Sequence, residues 1–96
     1  MPKTKTKAVY SNELKRYRKR LNLRVVDIAK LMDLESAAHI SHWEKGRKLP
    51  SLVNALKLSV ILNCPVITLF FNHIQEIRKD ISRKRSRIRP NDFNQL

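Results

Sequence analysis

The chain has 96 residues, a net charge of +13 at neutral pH and an isoelectric point near 10.6. This length supports one domain with a modest core, and the charge favours a polyanionic partner such as nucleic acid. A single cysteine, Cys64, excludes an internal disulfide, and no apolar run reaches the roughly 18 residues of a membrane span. The N-terminus lacks the apolar segment of a signal peptide, so we expect a cytoplasmic protein.

The positive charge is concentrated at the two ends of the chain. Residues 1–20 hold eight Lys or Arg against one acid, residues 78–96 hold seven against two, and the middle carries only +1. Residues 1–10 lack apolar periodicity and are predicted to form a flexible basic arm. Its lysines, Lys3, Lys5 and Lys7, are expected to contact duplex DNA, although a merely solvated arm is the alternative.

The first predicted helix covers residues 13–21. Ser11 or Asn12 can cap its start, and Asn22 tolerates the left-handed conformation that closes a helix. Its apolar positions recur at i, i+3 and i+7, which indicates one buried face formed by Leu14, Tyr17 and Leu21.

The second and third predicted helices are joined by a short linker. The second covers residues 25–32 behind a poor cap, Arg24, and its buried face is formed by Val25, Ile28, Ala29 and Met32. The third covers residues 37–45, with Ser36 as its cap and Gly46 as its C-terminal stop. Because the third helix is short and largely polar, the pair has the pattern of a helix-turn-helix whose second helix can enter a major groove.

Two further helices are predicted after Pro50. Residues 52–62 are apolar on all sides except that of Asn54 and Lys57, so we expect a central buried helix. A fifth helix begins at Val66 and ends at Pro90. Without strand-like alternation or a glycine-rich loop, the chain is predicted to be all-α, with a DNA-binding domain over 11–71, a basic helix over 72–89 and a tail over 90–96.

The segments "LKRYRKRLNLRVVDIAKLMDL" and "SAAHISHWEKGRKLPSLVNALKLSVILNCPVITLF" resemble the Xre or lambda-repressor-like family of five-helix DNA-binding domains. The resemblance covers residues 14–70. It implies that a basic residue of the first helix, Arg18, pairs with the acid that ends the recognition helix, Glu44. Ile40 and Trp43 would then anchor the inner side of that helix.

The same resemblance implies which residues meet DNA. Ala37, Ala38 and His42 occupy base-reading positions, and Arg47 and Lys48 in the following loop would meet phosphates. The remaining expected contacts are Ser36, His39, Ser41 and Lys45. The sequence departs from the family where Val25 replaces the usual Gln at the start of the second helix. In addition, the alanines at base-reading positions can only lie against a thymine methyl. Both features affect base specificity and not the fold.

Isoleucines recur at intervals of seven in the fifth predicted helix. This spacing is typical of a short coiled coil, and the expected dimerisation residues are Ile67, Phe70, Ile74, Ile77, Ile81 and Ile88. The alternative is an amphipathic helix that lies on its own domain. A dimer would present two recognition helices about 34 Å apart to a palindromic site.

The sequence therefore favours a sequence-specific DNA-binding transcriptional regulator, a repressor, acting as a homodimer on double-stranded DNA at the nucleoid. Two histidines on one exposed helix, His39 and His42, provide neither a zinc site nor a catalytic pocket, so we expect no metal, cofactor, small-molecule ligand, membrane partner or enzymatic activity. The alternatives are an antitoxin-like module with a protein partner and a nonspecific architectural nucleic-acid binder.

Overall fold

The computed structural model describes residues 10–88, and every regular element within that range is helical. This confirms the all-α prediction. The helices are α1 (Leu14–Arg20), α2 (Val25–Leu31), α3 (Ala38–Glu44), α4 (Leu52–Leu62), α5 (Val66–Leu69) and α6 (Phe71–Arg85). Helices α1 to α4 match their predicted ranges to within one or two residues, which is the normal uncertainty of a helix end.

Local hydrogen bonds explain why several helices begin and end where they do. The Asn12 side chain accepts the Leu14 backbone N–H at 3.0 Å, and the Ser51 hydroxyl accepts that of Asn54 at 3.2 Å. The poor cap at Arg24 is compensated by Asp27, whose carboxylate accepts the Arg24 backbone N–H at 2.8 Å. The segments after α1, α2 and α4 turn through the left-handed residues Asn22, Asp33 and Asn63.

One apolar core joins all of the helices except α6. The core is formed by side chains from the predicted inner faces of α1, α2, α3 and α4, together with Cys64, Leu69 and Phe70 from the segment after α4. The buried members are Leu14, Ile28, Ala29, Met32, Ile40, Trp43, Leu58, Leu62, Cys64, Leu69 and Phe70. Leu21 is an exception to the predicted α1 face, because it lies beyond the last helical residue and is exposed.

The predicted burial of α4 is wrong on one side. Ala55, Leu58 and Leu62 face the core, whereas Leu56 and Val60 are exposed. The other helices pack against a single face of α4, so its apolar outer face has no cover within the described part of the chain.

The fifth predicted helix is two helices, because the chain bends at Phe70 (φ −117°, ψ 36°). The Leu69 carbonyl accepts the Glu13 backbone N–H at 2.7 Å, instead of the N–H four residues later in the chain that would continue the helix. Phe70 is buried in the core, so it is unavailable to a second copy and the prediction that it forms part of a dimer seam is wrong. Ile67 lies on α5, separate from Ile74 on α6.

Helix α6 has no buried residue. Its first turn is tied to the N-terminal segment by a ring contact between His73 and Tyr10, with centroids 5.2 Å apart, and by a 3.4 Å hydrogen bond from Asn72 to Ser11. Ile74 is half-buried, Ile77 and Ile81 are exposed, and Ile88 lies beyond the helix end. No helix within residues 10–88 has the length and apolar content needed to cross a membrane.

Candidate nucleic-acid interface

Helices α2 and α3 form the candidate interface, and the turn between them sets how they cross. After α2, the Leu34 backbone N–H donates to the Ala29 carbonyl at 2.9 Å, and Asp33 takes a positive φ of 58°. The Ser36 hydroxyl then accepts the Ala38 backbone N–H at 3.0 Å and opens α3. Short hydrogen-bonded links of this kind give α3 a defined starting point.

Helix α3 separates its residues into an inner and an outer side. Ile40 and Trp43 are buried in the core and attach the helix to the domain. The outer residues are polar or small: Ala38 and His39 are exposed, while Ser41 and His42 are half-buried. Ala37, predicted as a base-reading residue, is half-buried and packs against the core instead. The outer side is therefore accessible along the helix and carries side chains short enough to allow close approach to a groove.

The Arg18 and Glu44 side chains form a bidentate ion pair between α1 and the end of α3. Arg18 Nε donates to Glu44 Oε2 at 2.5 Å and Nη2 donates to Oε1 at 3.0 Å. Arg18 also donates to the Leu23 carbonyl at 2.9 Å, so one guanidinium links α1, the α1–α2 turn and α3. The side chains are only 11% and 8% exposed, and the pKa of Arg18 is raised, chiefly by the hydrogen bond to Glu44.

Asn12 makes a second connection to the end of α3. Its Nδ2 donates to the Trp43 carbonyl at 2.8 Å and to the Tyr10 carbonyl at 2.9 Å. The Tyr10 backbone N–H in turn donates to the Gly46 carbonyl at 3.0 Å. The sequence marks Asn12 only as a helix cap, because its partner at Trp43 is 31 residues away and only the packing of α1 on α3 brings them together.

A basic loop follows α3. Gly46 adopts a positive φ of 72°, which lets the chain turn sharply after the helix, and the Arg47 backbone N–H donates to the His42 carbonyl at 3.0 Å. Lys45, Arg47 and Lys48 are exposed. The loop therefore presents three cations immediately beyond α3. Lys3, Lys5 and Lys7 lie outside the described residues.

Residues 10–88 contain no group of three His, Cys, Asp or Glu side chains that could hold a metal ion. His39 instead lies beside Trp43, with ring centroids 6.3 Å apart and planes inclined at 35°. The chemistry that these residues offer is hydrogen bonding and charge, directed outward from α3 and from the loop behind it.

Comparison with known proteins identifies the same part of the chain. A family model described as helix-turn-helix matches residues 14–69, from the first residue of α1 to the last residue of α5. No curated protein matches the chain. Helix α6 lies outside the matched region.

Proposed function

The chain belongs to the helix-turn-helix family and is a DNA-binding transcription regulator; from this premise we propose that it recognises specific operator sequences as a homodimer and represses transcription by occluding the promoter. The observation that carries this proposal is the rigid, outward-facing α3 with a basic loop at its end. An α-helix fits a major groove about 12 Å wide, and the Arg18–Glu44 pair fixes the angle at which α3 is presented.

Base recognition in this proposal comes from the outer side of α3. His42 can hydrogen-bond a base edge through its imidazole, whereas Ala38 can only contact a thymine methyl. Ser36, His39 and Ser41 lie on or beside the same side and are assigned to the groove edge and the DNA backbone. With alanine in a reading position, discrimination among sequences depends on few hydrogen bonds and therefore heavily on His42.

Phosphate binding is assigned to the cations around α3. Lys45, Arg47 and Lys48 are exposed at its C-terminal end, where they can position the helix without reading sequence. The hydrogen bond from the Tyr10 backbone N–H to the Gly46 carbonyl holds Tyr10 beside the same loop. Lys3, Lys5 and Lys7 are close enough along the chain to extend this phosphate-binding surface.

The homodimer is assigned to α6, where Ile74, Ile77 and Ile81 follow one another at i, i+3 and i+7. A helix of 15 residues without a buried side chain gains little from its own domain, so contact with a second α6 would stabilise it. Two copies related by a two-fold axis would match a palindromic operator at the nucleoid.

Helix α6, which has no buried residue, also favours a second candidate function. A basic amphipathic helix outside the family domain can bind an acidic protein, as in an antitoxin-like module. Truncation after residue 77 distinguishes the two: operator binding should survive in weakened form, whereas binding to such a partner should disappear.

The decisive experiment is selection of binding sites from random duplex DNA at about 150 mM salt, where nonspecific binding is weak. We expect a palindromic motif. His42→Ala should relax individual positions, and Arg47→Gln with Lys48→Gln should weaken all sequences alike. The matched control is Lys19→Gln with Lys79→Gln, which removes the same charge from α1 and α6. A wild-type protein that enriches no motif would overturn sequence-specific recognition.

A further inference from the structure

Helix α4 has a second apolar face that its own chain does not cover. Leu52, Val53, Leu56 and Val60 are exposed, Val60 at 82%, while the opposite face of the helix is in the core. Exposed apolar side chains are common singly but seldom contiguous. Four on one surface of one helix therefore require a physical explanation.

The exposed face continues onto α2 and forms a shallow depression. Leu31, at the end of α2, is 61% exposed and lines this depression together with Val53, Leu56 and Val60. Asp33 and Lys57 also line the depression, so it carries one negatively and one positively charged side chain. We call these six residues the α4 face.

The size of the α4 face suits a protein interface. Its apolar side chains, with Leu52 beside them, expose on the order of 500 Å², near the upper end of what one patch on a monomeric protein shows. A symmetric pair of such faces would bury about 1,000 Å² in total, which is the lower limit for a specific protein interface.

The charge of the chain indicates which occupant fits. Copies at +13 repel one another, but residues 21–77 carry only +1 of that charge, so the α4 face lies on the least repulsive part of the molecule. An antiparallel second copy would place Val53 against Val60 of that copy with Leu56 near the centre.

We propose that the α4 face binds the α4 face of a second copy of this chain in a two-fold, antiparallel contact. This contact is separate from the proposed α6 dimer contact through Ile74, Ile77 and Ile81, which we call the α6 seam, and it does not depend on it. If both operate, each chain has two self-complementary interfaces, and dimers join into tetramers that can hold two operators or bind neighbouring operators cooperatively.

The test is the mass of the protein in solution, measured by sedimentation between about 1 and 200 µM, because interfaces of this size are commonly micromolar. Leu56→Asp places a charge at the centre of the face. Leu21→Asp is the matched control, since Leu21 is 45% exposed against 51% for Leu56 but lies at the end of α1. Circular dichroism verifies that each variant retains its helices, and Val60→Asp provides a second variant at a more exposed position.

The α6 seam is removed separately with Ile77→Asp and Ile81→Asp. We expect this α6 double variant still to form a dimer at high concentration, and Leu56→Asp added to it to weaken that dimer at least tenfold. If the α6 double variant is monomeric throughout and Leu56→Asp leaves the wild-type mass unchanged, the α4 contact is overturned while the α6 dimer stands. If Leu56→Asp alone abolishes association, the α4 contact stands and the α6 seam is overturned; a monomeric wild type overturns both.

Discussion

At the scale of single residues, the Arg18–Glu44 pair joins α1 to the end of α3. Its two side chains are nearly buried, so the cost of desolvating them offsets much of their attraction, and the net stabilisation is small compared with the loss from breaking the pair. Its main contribution is therefore geometric: it holds the end of α3 at a fixed distance from α1.

Glu44→Ala is expected to destabilise the fold by about 3 to 5 kcal/mol, because it leaves the Arg18 charge uncompensated in a nearly buried site. Replacing both residues, Arg18→Met with Glu44→Leu, should lower the free energy of unfolding by less than Glu44→Ala alone does. The double variant should nevertheless bind the operator more weakly. Chemical denaturation measures the first effect and a binding titration the second. Glu13→Gln, which removes the exposed Arg16–Glu13 pair, is the control and should change neither; equal effects at both pairs would contradict this account.

Asp27 makes the start of α2 sensitive to acid. The pKa of Asp27 is lowered from its ordinary value of 3.8, first by the hydrogen bond from the Arg24 side chain and then by that from the Arg24 backbone. A lowered pKa in the folded state stabilises the protein above pH 3.8, and this contribution is lost as the pH falls through the folded-state pKa. The Tm of Asp27→Asn, measured between pH 2 and 6, should therefore fall less steeply with decreasing pH than the Tm of the wild type. An unchanged slope would show that Asp27 does not couple to folding.

At the scale of elements, α6 differs from the other helices in how it is stabilised. Helices α1 to α5 all contribute buried residues to the core, whereas α6 contributes none. An isolated helix of about 15 residues is marginal in water, so α6 depends on its first-turn contacts, on the exposed pairs of Asp80 with Arg83 and Lys84, and on any partner.

If α6 pairs with a second copy, the helix content of the protein should rise with concentration over the range in which its mass doubles. Circular dichroism at 222 nm measures this content, and Ile77→Asp with Ile81→Asp should abolish the rise. The control is Gln75→Asp, because residue 75 is a polar position on another side of α6. Helix content that is constant while the mass doubles would locate the dimer elsewhere.

At the scale of the whole molecule, the distribution of charge governs how binding responds to salt. DNA binding that neutralises Z phosphates weakens with salt with a slope of about 0.9 Z in logarithmic terms. Changing Lys3, Lys5 and Lys7 together to Gln should therefore lower that slope by up to about 2.7 if all three contact phosphate. Titration of operator binding between about 50 and 300 mM salt measures the slope. Thr4→Ala with Thr6→Ala should leave it unchanged, and a slope unaffected by the lysine changes would mean that the arm remains in solvent.

The amino-acid sequence by itself determined the features that depend on neighbours along the chain. The periodicity of Ile28, Ala29 and Met32 predicted the buried side of α2, and Asn22 and Gly46 predicted the ends of helices, because caps and helical faces involve residues no more than a few positions apart. The helix-turn-helix and its family were also identifiable from local segments.

Only the tertiary structure decided the features that depend on residues far apart in the chain. The bend at Phe70 exists because the Leu69 carbonyl bonds to Glu13, and Asn12 reaches Trp43 because α1 packs on α3. The exposed face of α4 has the same origin: its sequence is apolar nearly all round, and burial depends on how many other helices surround it. Periodicity reports that a side chain is apolar, but whether another element covers it is settled by packing across the whole domain.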